Sequence, residues 1–124
     1  MQPDIEIYLL SCKTESILDW LKSLFIIAEA PKKKEKCVYL TVHNQSHEIE
    51  IVILEEAAGK RFTSVWFNSP NTQWLNDIEC AKDAFLALGC EVRCIHSGWE
   101  EEDNSDPDQW WIINQHKEGP FIWK

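Results

Sequence analysis

Residues Cys37–Leu54 read "CVYLTVHNQSHEIEIVIL". Val38, Leu40 and Val42 alternate with Cys37, Tyr39 and Thr41, and Ile49, Ile51 and Ile53 alternate with Glu48, Glu50 and Val52. A period of two puts successive side chains on opposite faces, so each half is a strand with one strongly apolar face. The polar "NQS" between them is short enough to reverse the chain, which makes the pair a β-hairpin. That hairpin commits the molecule to antiparallel pairing.

Toward the N-terminus, "DIEIYLL" (Asp4–Leu10) alternates Ile5 and Ile7 with acids and predicts a first strand. In "TESILDWLKSLFIIAEAP", Ile17, Leu18, Leu21, Leu24, Phe25 and Ala28 form one helical stripe, with Asp19, Lys22 and Ser23 away from it. Thr14 is placed to cap this helix and Pro31 to end it. "PKKKEK" (Pro31–Lys36), the one basic cluster, reads as a solvated connection.

Toward the C-terminus, "EEAAGKR" turns at Gly59, and "FTSVWFNS" is a strand rich in aromatic and β-branched residues. "SPNTQWLNDIECAKDAFLALG" predicts a second helix with Trp74, Ile78, Ala81, Phe85 and Leu88 as its buried stripe. Asn71 or Thr72 would cap it, and Gly89 would stop it in a left-handed conformation. "CEVRCIH" is the next strand, and "QWWIINQ" and the short "PFIW" follow an acidic stretch. The expected fold is α+β: a mostly antiparallel sheet in the order β-α-β-β-β-α-β-β, with both helices packed on one face. A length of 124 residues with 44% hydrophobic content suits a single domain, 1–124, with one core.

The charge balance, 12 basic against 21 acidic residues, gives net −9. Such a field repels phosphate backbones, so nucleic acid is not an expected partner; a basic protein is, unless the charge serves solubility alone. No apolar run approaches the ~18 residues of a membrane span. "MQPDIEIYLL" carries acids and no basic leader, so a cytoplasmic location is expected. Five cysteines, an odd count without an export signal, argue against a disulfide framework, and most of them read as small buried apolar groups.

Catalytic and metal signatures do not assemble. Cys90, Cys94 and His96 share a strand face, but a rise of about 3.3 Å per residue sets the two cysteines roughly 13 Å apart, too far for one zinc. His43 and His47 flank the hairpin turn. Counting a calcium loop from Asp103 puts Asp108 where glycine is needed and Asn114 where glutamate is needed. There is no Gly-x-Ser-x-Gly elbow and no His-Glu-x-x-His, and four glycines leave little for phosphate cradles. No catalytic residue, metal or cofactor is assigned, and a non-enzymatic role is expected.

One constellation remains. "GWEEEDNSDPDQWW" (Gly98–Trp111) sets six acids among three tryptophans, with no basic residue. Neighbouring carboxylates repel unless something positive compensates. Aromatic anchors beside charge suit a protein interface: the rings supply binding energy and the acids speed encounter with a cationic partner. The candidate binding residues are Trp99, Glu100, Glu101, Glu102, Asp103, Asp106, Asp108, Trp110 and Trp111. Alternation puts Trp110 and Trp111 on opposite faces, one for the core and one available. "NSPNTQW" (Asn68–Trp74) is a second exposed candidate.

A small acidic α+β chain with the segment "VWFNSPNTQWLNDIECAKDAFLALGCEVRC" and this acidic stretch resembles the immunity proteins of bacterial toxin–immunity pairs, including those of contact-dependent inhibition systems. The resemblance implies an inhibitor that covers the active site of a basic toxin or nuclease. Two alternatives stand beside it: an acidic adaptor, chaperone or DNA-mimic module, and a small enzyme whose site is assembled from distant residues.

Overall fold

A computed structural model describes residues 4–95 and 109–123. Its elements run β1 (Ile5–Leu10), α1 (Thr14–Leu24), β2 (Ile26–Lys34), β3 (Cys37–Asn44), β4 (His47–Leu54), β5 (Phe62–Asn68), α2 (Asp77–Leu88), β6 (Val92–Ile95), β7 (Gln109–Ile113) and β8 (Glu118–Ile122). The strands form one eight-stranded sheet in the order β2-β3-β4-β5-β1-β6-β7-β8, and every neighbouring pair is antiparallel. The expected α+β class and element order are therefore present, with β2 and β8 as additional strands.

β1 lies between β5 and β6, and α2 carries the chain over it from one to the other. Ile5, Ile7 and Leu9 point to the helix side and are fully buried. They share one core with Val38, Leu40 and Val42 of β3, the three β4 isoleucines, Val65, Phe67 and Val92. From above, α1 supplies Ile17, Trp20 and Leu21, and α2 supplies Cys80, Ala81 and Ala84. Trp20, Phe25, Phe67 and Trp74 meet beneath α1, with Phe67 and Trp74 centroids 5.1 Å apart. Trp74 is thus core, and "NSPNTQW" is pinned by its last residue.

Helix boundaries depart from the sequence reading for local reasons. α1 ends at Leu24, because Phe25 takes an extended conformation (φ −134°, ψ 160°) and the chain enters β2. β3 would otherwise expose an unpaired edge, and the β-branched Ile26–Ile27 pair satisfies it better than another helical turn would. The lysine cluster belongs to this outermost strand, where Pro31, Lys32–Lys34 and two register irregularities discourage pairing with a further chain. β8, the opposite edge, contains Pro120.

α2 starts at Asp77, later than its apolar spacing suggests. Asn76 caps it, its side-chain oxygen accepting from the Glu79 N–H at 2.9 Å, while the Glu79 carboxylate accepts from the Leu75 N–H at 3.0 Å. Thr14 does not cap α1; its hydroxyl donates to Glu55 at 2.7 Å. Gly89 does stop α2, at φ +73°, and Gly59 turns at φ +80°. No helix among the described residues is long and apolar enough to cross a membrane.

Candidate functional site

Both helices cover one face of the sheet, which leaves the other face to its own side chains. Residues opposite one another in register share a face. Across β5, β1, β6, β7 and β8, one row on the uncovered face is Ser64, Tyr8, Arg93, Ile112 and Gly119. Two residues on, the same face carries the pair Trp66–Glu6 on β5 and β1 and the row Ile95, Trp110 and Phe121 on β6, β7 and β8. A solvated sheet face ordinarily carries polar residues. This one carries aromatic rings.

Trp123, just past β8, folds onto the same face. Its ring lies 4.9 Å from those of Trp110 and Phe62, 5.7 Å from Tyr8 and 6.2 Å from Phe121. The Arg93 guanidinium is held among them, 4.5 Å from Trp123, 4.8 Å from Phe62 and 4.9 Å from Phe121. Its charge is balanced by Glu91, whose carboxylate accepts at 2.8 Å and also accepts from Asn114 at 3.0 Å. Ile112, on this face and apart from the helix-side core, is only 5% exposed. The aromatic–arginine layer therefore acts as a small second core where no helix packs.

At the ends of that layer the surface opens. A shallow pocket of about 390 Å³, lined by Tyr8, Ala58, Trp110 and Trp123, lies toward the Phe62 end, where the Ala57 N–H donates to the Phe62 carbonyl; Ile95, 48% exposed, marks the other end. Acids gather at the Ile95 end. Glu6 pairs with Trp66, and Asp4 accepts from the Trp66 indole at 2.5 Å. Burial, then the nearby Asp4, pushes the Glu6 carboxyl up. Asp77, at the start of α2, is pushed to about 7 by burial, with Asp4 and Glu6 adding to the rise. Three carboxylates thus share one end of the sheet.

β6 ends and β7 begins at this place. Ile95 pairs with Trp110, the last described residue of β6 against the second of β7. Trp99, Glu100, Glu101, Glu102, Asp103, Asp106 and Asp108 lie outside the described residues, as does His96. Trp110 and Trp111 take opposite faces, as alternation requires. Trp110 joins the aromatic layer, while Trp111 packs against the helix-side core and its indole donates to Glu118 at 3.2 Å. The lysine-rich β2 lies five strands from β6, about 24 Å at the usual strand spacing. Lys33 and Lys36 pair there with Glu55 and Glu56. The chain's own cationic edge is therefore remote from its acidic end.

Trp66, Tyr8, Phe62, Arg93, Phe121 and Trp123 are absent from the sequence-based candidates. Their signal lies in the strands that carry them: in "FTSVWFNS", Phe62 and Trp66 alternate with the core residues Thr63, Val65 and Phe67. His43 and His47 do not converge, since register puts them on opposite faces. Among the described residues no group of three or more His, Cys, Asp or Glu side chains could hold a metal ion. In comparisons with known proteins, no family, no curated protein and no solved structure matches this chain.

Proposed function

We propose that the chain is a protein-binding inhibitor of the immunity type, which neutralises a basic toxin or nuclease by docking it on the acidic, aromatic end of the uncovered sheet face. The observation that carries this reading is the partly exposed aromatic surface of Trp66 and Trp110 with Ile95, 48% exposed, and the carboxylates of Asp4 and Glu6 at the same end, in a chain whose residues 96–108 add six more acids. Lysine and arginine side chains of a partner would meet carboxylates there, and their stems and guanidinium planes would lie on the Trp66 and Trp110 rings. An apolar anchor ringed by charge is the arrangement that gives both affinity and fast encounter.

The test is co-purification at low salt with the basic protein encoded by the adjacent gene, followed by assay of that protein's activity in the complex. Capture with loss of activity supports the reading. Capture with full turnover moves the assignment to an acidic adaptor, and no capture at low salt removes it.

A further inference from the structure

We propose that Cys12 and Cys90 are a reversible thiol–disulfide pair, in which Cys12 meets a hydroperoxide at the surface and Cys90 resolves it. The two residues are 78 positions apart, and the β1–β6 pairing brings them together. The ladder runs past Leu9–Val92: the Leu10 N–H donates to the Glu91 carbonyl at 3.0 Å. One residue further on, Ser11 turns at φ +53°, its N–H donating to the Arg61 carbonyl at 2.6 Å, and delivers Cys12 to the start of α1. On the other side Gly89, at φ +73°, ends α2 and delivers Cys90. The Cys12 and Cys90 thiols are then neighbours, and the Cys12 thiol also donates to the Lys13 carbonyl at 4.0 Å.

Both cysteines are half-buried, but their surroundings differ. Cys12 lines an open depression of about 620 Å³ with Lys13, Thr14, Lys33, Glu55 and Lys60, so a small oxidant reaches it from solvent. A hydrogen bond with Cys90 holds the Cys12 thiol below its usual value, and the same bond with burial pushes Cys90 up. Cys12, which lines the depression beside Lys13, Lys33 and Lys60, is therefore the attacking sulfur and Cys90 its partner. Cys80 and Cys94, fully buried with their thiols pushed up by desolvation, are inert by comparison.

The chemistry balances. The Cys12 thiolate attacks one oxygen of hydrogen peroxide; an S–O bond forms, the O–O bond breaks, and the departing hydroxide takes a proton to leave as water. Cys12 is then a sulfenic acid. Cys90 attacks that sulfur; the S–S bond forms, the S–O bond breaks, and hydroxide leaves with the Cys90 proton as a second water. Two thiols are oxidised and one peroxide is reduced. The disulfide would tie the entry of α1 to the exit of α2, at the opposite end of β1 from the acidic surface, so it is independent of partner docking.

The experiment exposes the folded full-length chain to hydrogen peroxide, blocks remaining thiols with iodoacetamide and maps the peptides by mass spectrometry. A Cys12–Cys90 linked peptide, lighter by two hydrogens and restored by dithiothreitol, is expected. Cys12→Ser should slow oxidation about ten-fold or more. Cys90→Ser should halt at a Cys12 sulfenic acid trapped by dimedone. Cys12→Ala and Cys90→Ala serve the same comparisons should either serine variant lose its fold. Oxidised wild-type chain with Cys12 and Cys90 unlinked, or a Cys12 variant that reacts as fast as wild type, would overturn the proposal.

Discussion

Ile95 and Trp110 face one another across β6 and β7, and the ring of Trp110 continues into contact with Tyr8 at 5.5 Å and Trp123 at 4.9 Å. Trp111, one residue on, turns to the helix side. Adjacent tryptophans on opposite faces should respond differently to truncation. Trp110→Ala should weaken partner binding by about 2 kcal/mol, roughly 30-fold, with a smaller loss of stability. Trp111→Ala should lower stability by about 2–3 kcal/mol and leave the affinity of the folded fraction unchanged. Denaturant titration with binding isotherms on both variants checks this; equal effects on both quantities would contradict it.

Arg93 is held by three rings and one carboxylate, so its replacement exposes both kinds of support. Arg93→Met keeps the packing volume but leaves Glu91, with 16% of its side chain exposed, without its cation. The expected cost is about 2 kcal/mol. Adding Glu91→Gln should recover part of that cost, because the orphaned charge is then gone. Arg93→Lys should rescue incompletely, since an ammonium lacks the planar face that meets Phe62, Phe121 and Trp123. Urea unfolding of these three variants and of Glu91→Gln alone, against wild type, reads the coupling, and strict additivity would refute it.

Asp77 gives a pH dependence of defined sign. Its carboxyl sits at about 7 in the folded chain, above the ordinary 3.8. The native state therefore holds that proton more tightly than the unfolded state does. The resulting stabilisation is fully present below the unfolded value and is lost as pH rises through about 7. Asp77→Asn, which cannot ionise, should match wild type near pH 4 and exceed it by about 1–2 kcal/mol at pH 8, after allowance for solvent screening. Thermal or urea unfolding across that range checks it; a pH-independent difference would exclude the assignment.

Much of the architecture follows from periodicity. Val38, Leu40 and Val42 against Ile49, Ile51 and Ile53 define the hairpin, and Gly59 and Gly89 mark two stops by their backbone needs. β2 is hidden because Ile17 to Ala28 fits a helical spacing as well, and pairing with β3 is a long-range choice that no local window contains. The late start of α2 is hidden in the same way: Trp74 fits the helical stripe, yet it reaches the core from outside the helix. At the candidate site, alternation separates Trp110 from Trp111 without further information. Gathering Tyr8, Phe62, Trp66, Arg93, Phe121 and Trp123 requires the strand order, which places β1 between β5 and β6.

The most direct measurement is the association rate of this chain with the basic protein of the adjacent gene, at low and high salt, for wild type and for Glu100, Glu101 and Glu102 all replaced by Gln. The account predicts that wild-type association is fast and falls steeply with salt, and that the triple variant binds about ten-fold more slowly at low salt with a flattened salt dependence and an unchanged melting temperature. Identical rates and identical salt dependence for the two chains would contradict it.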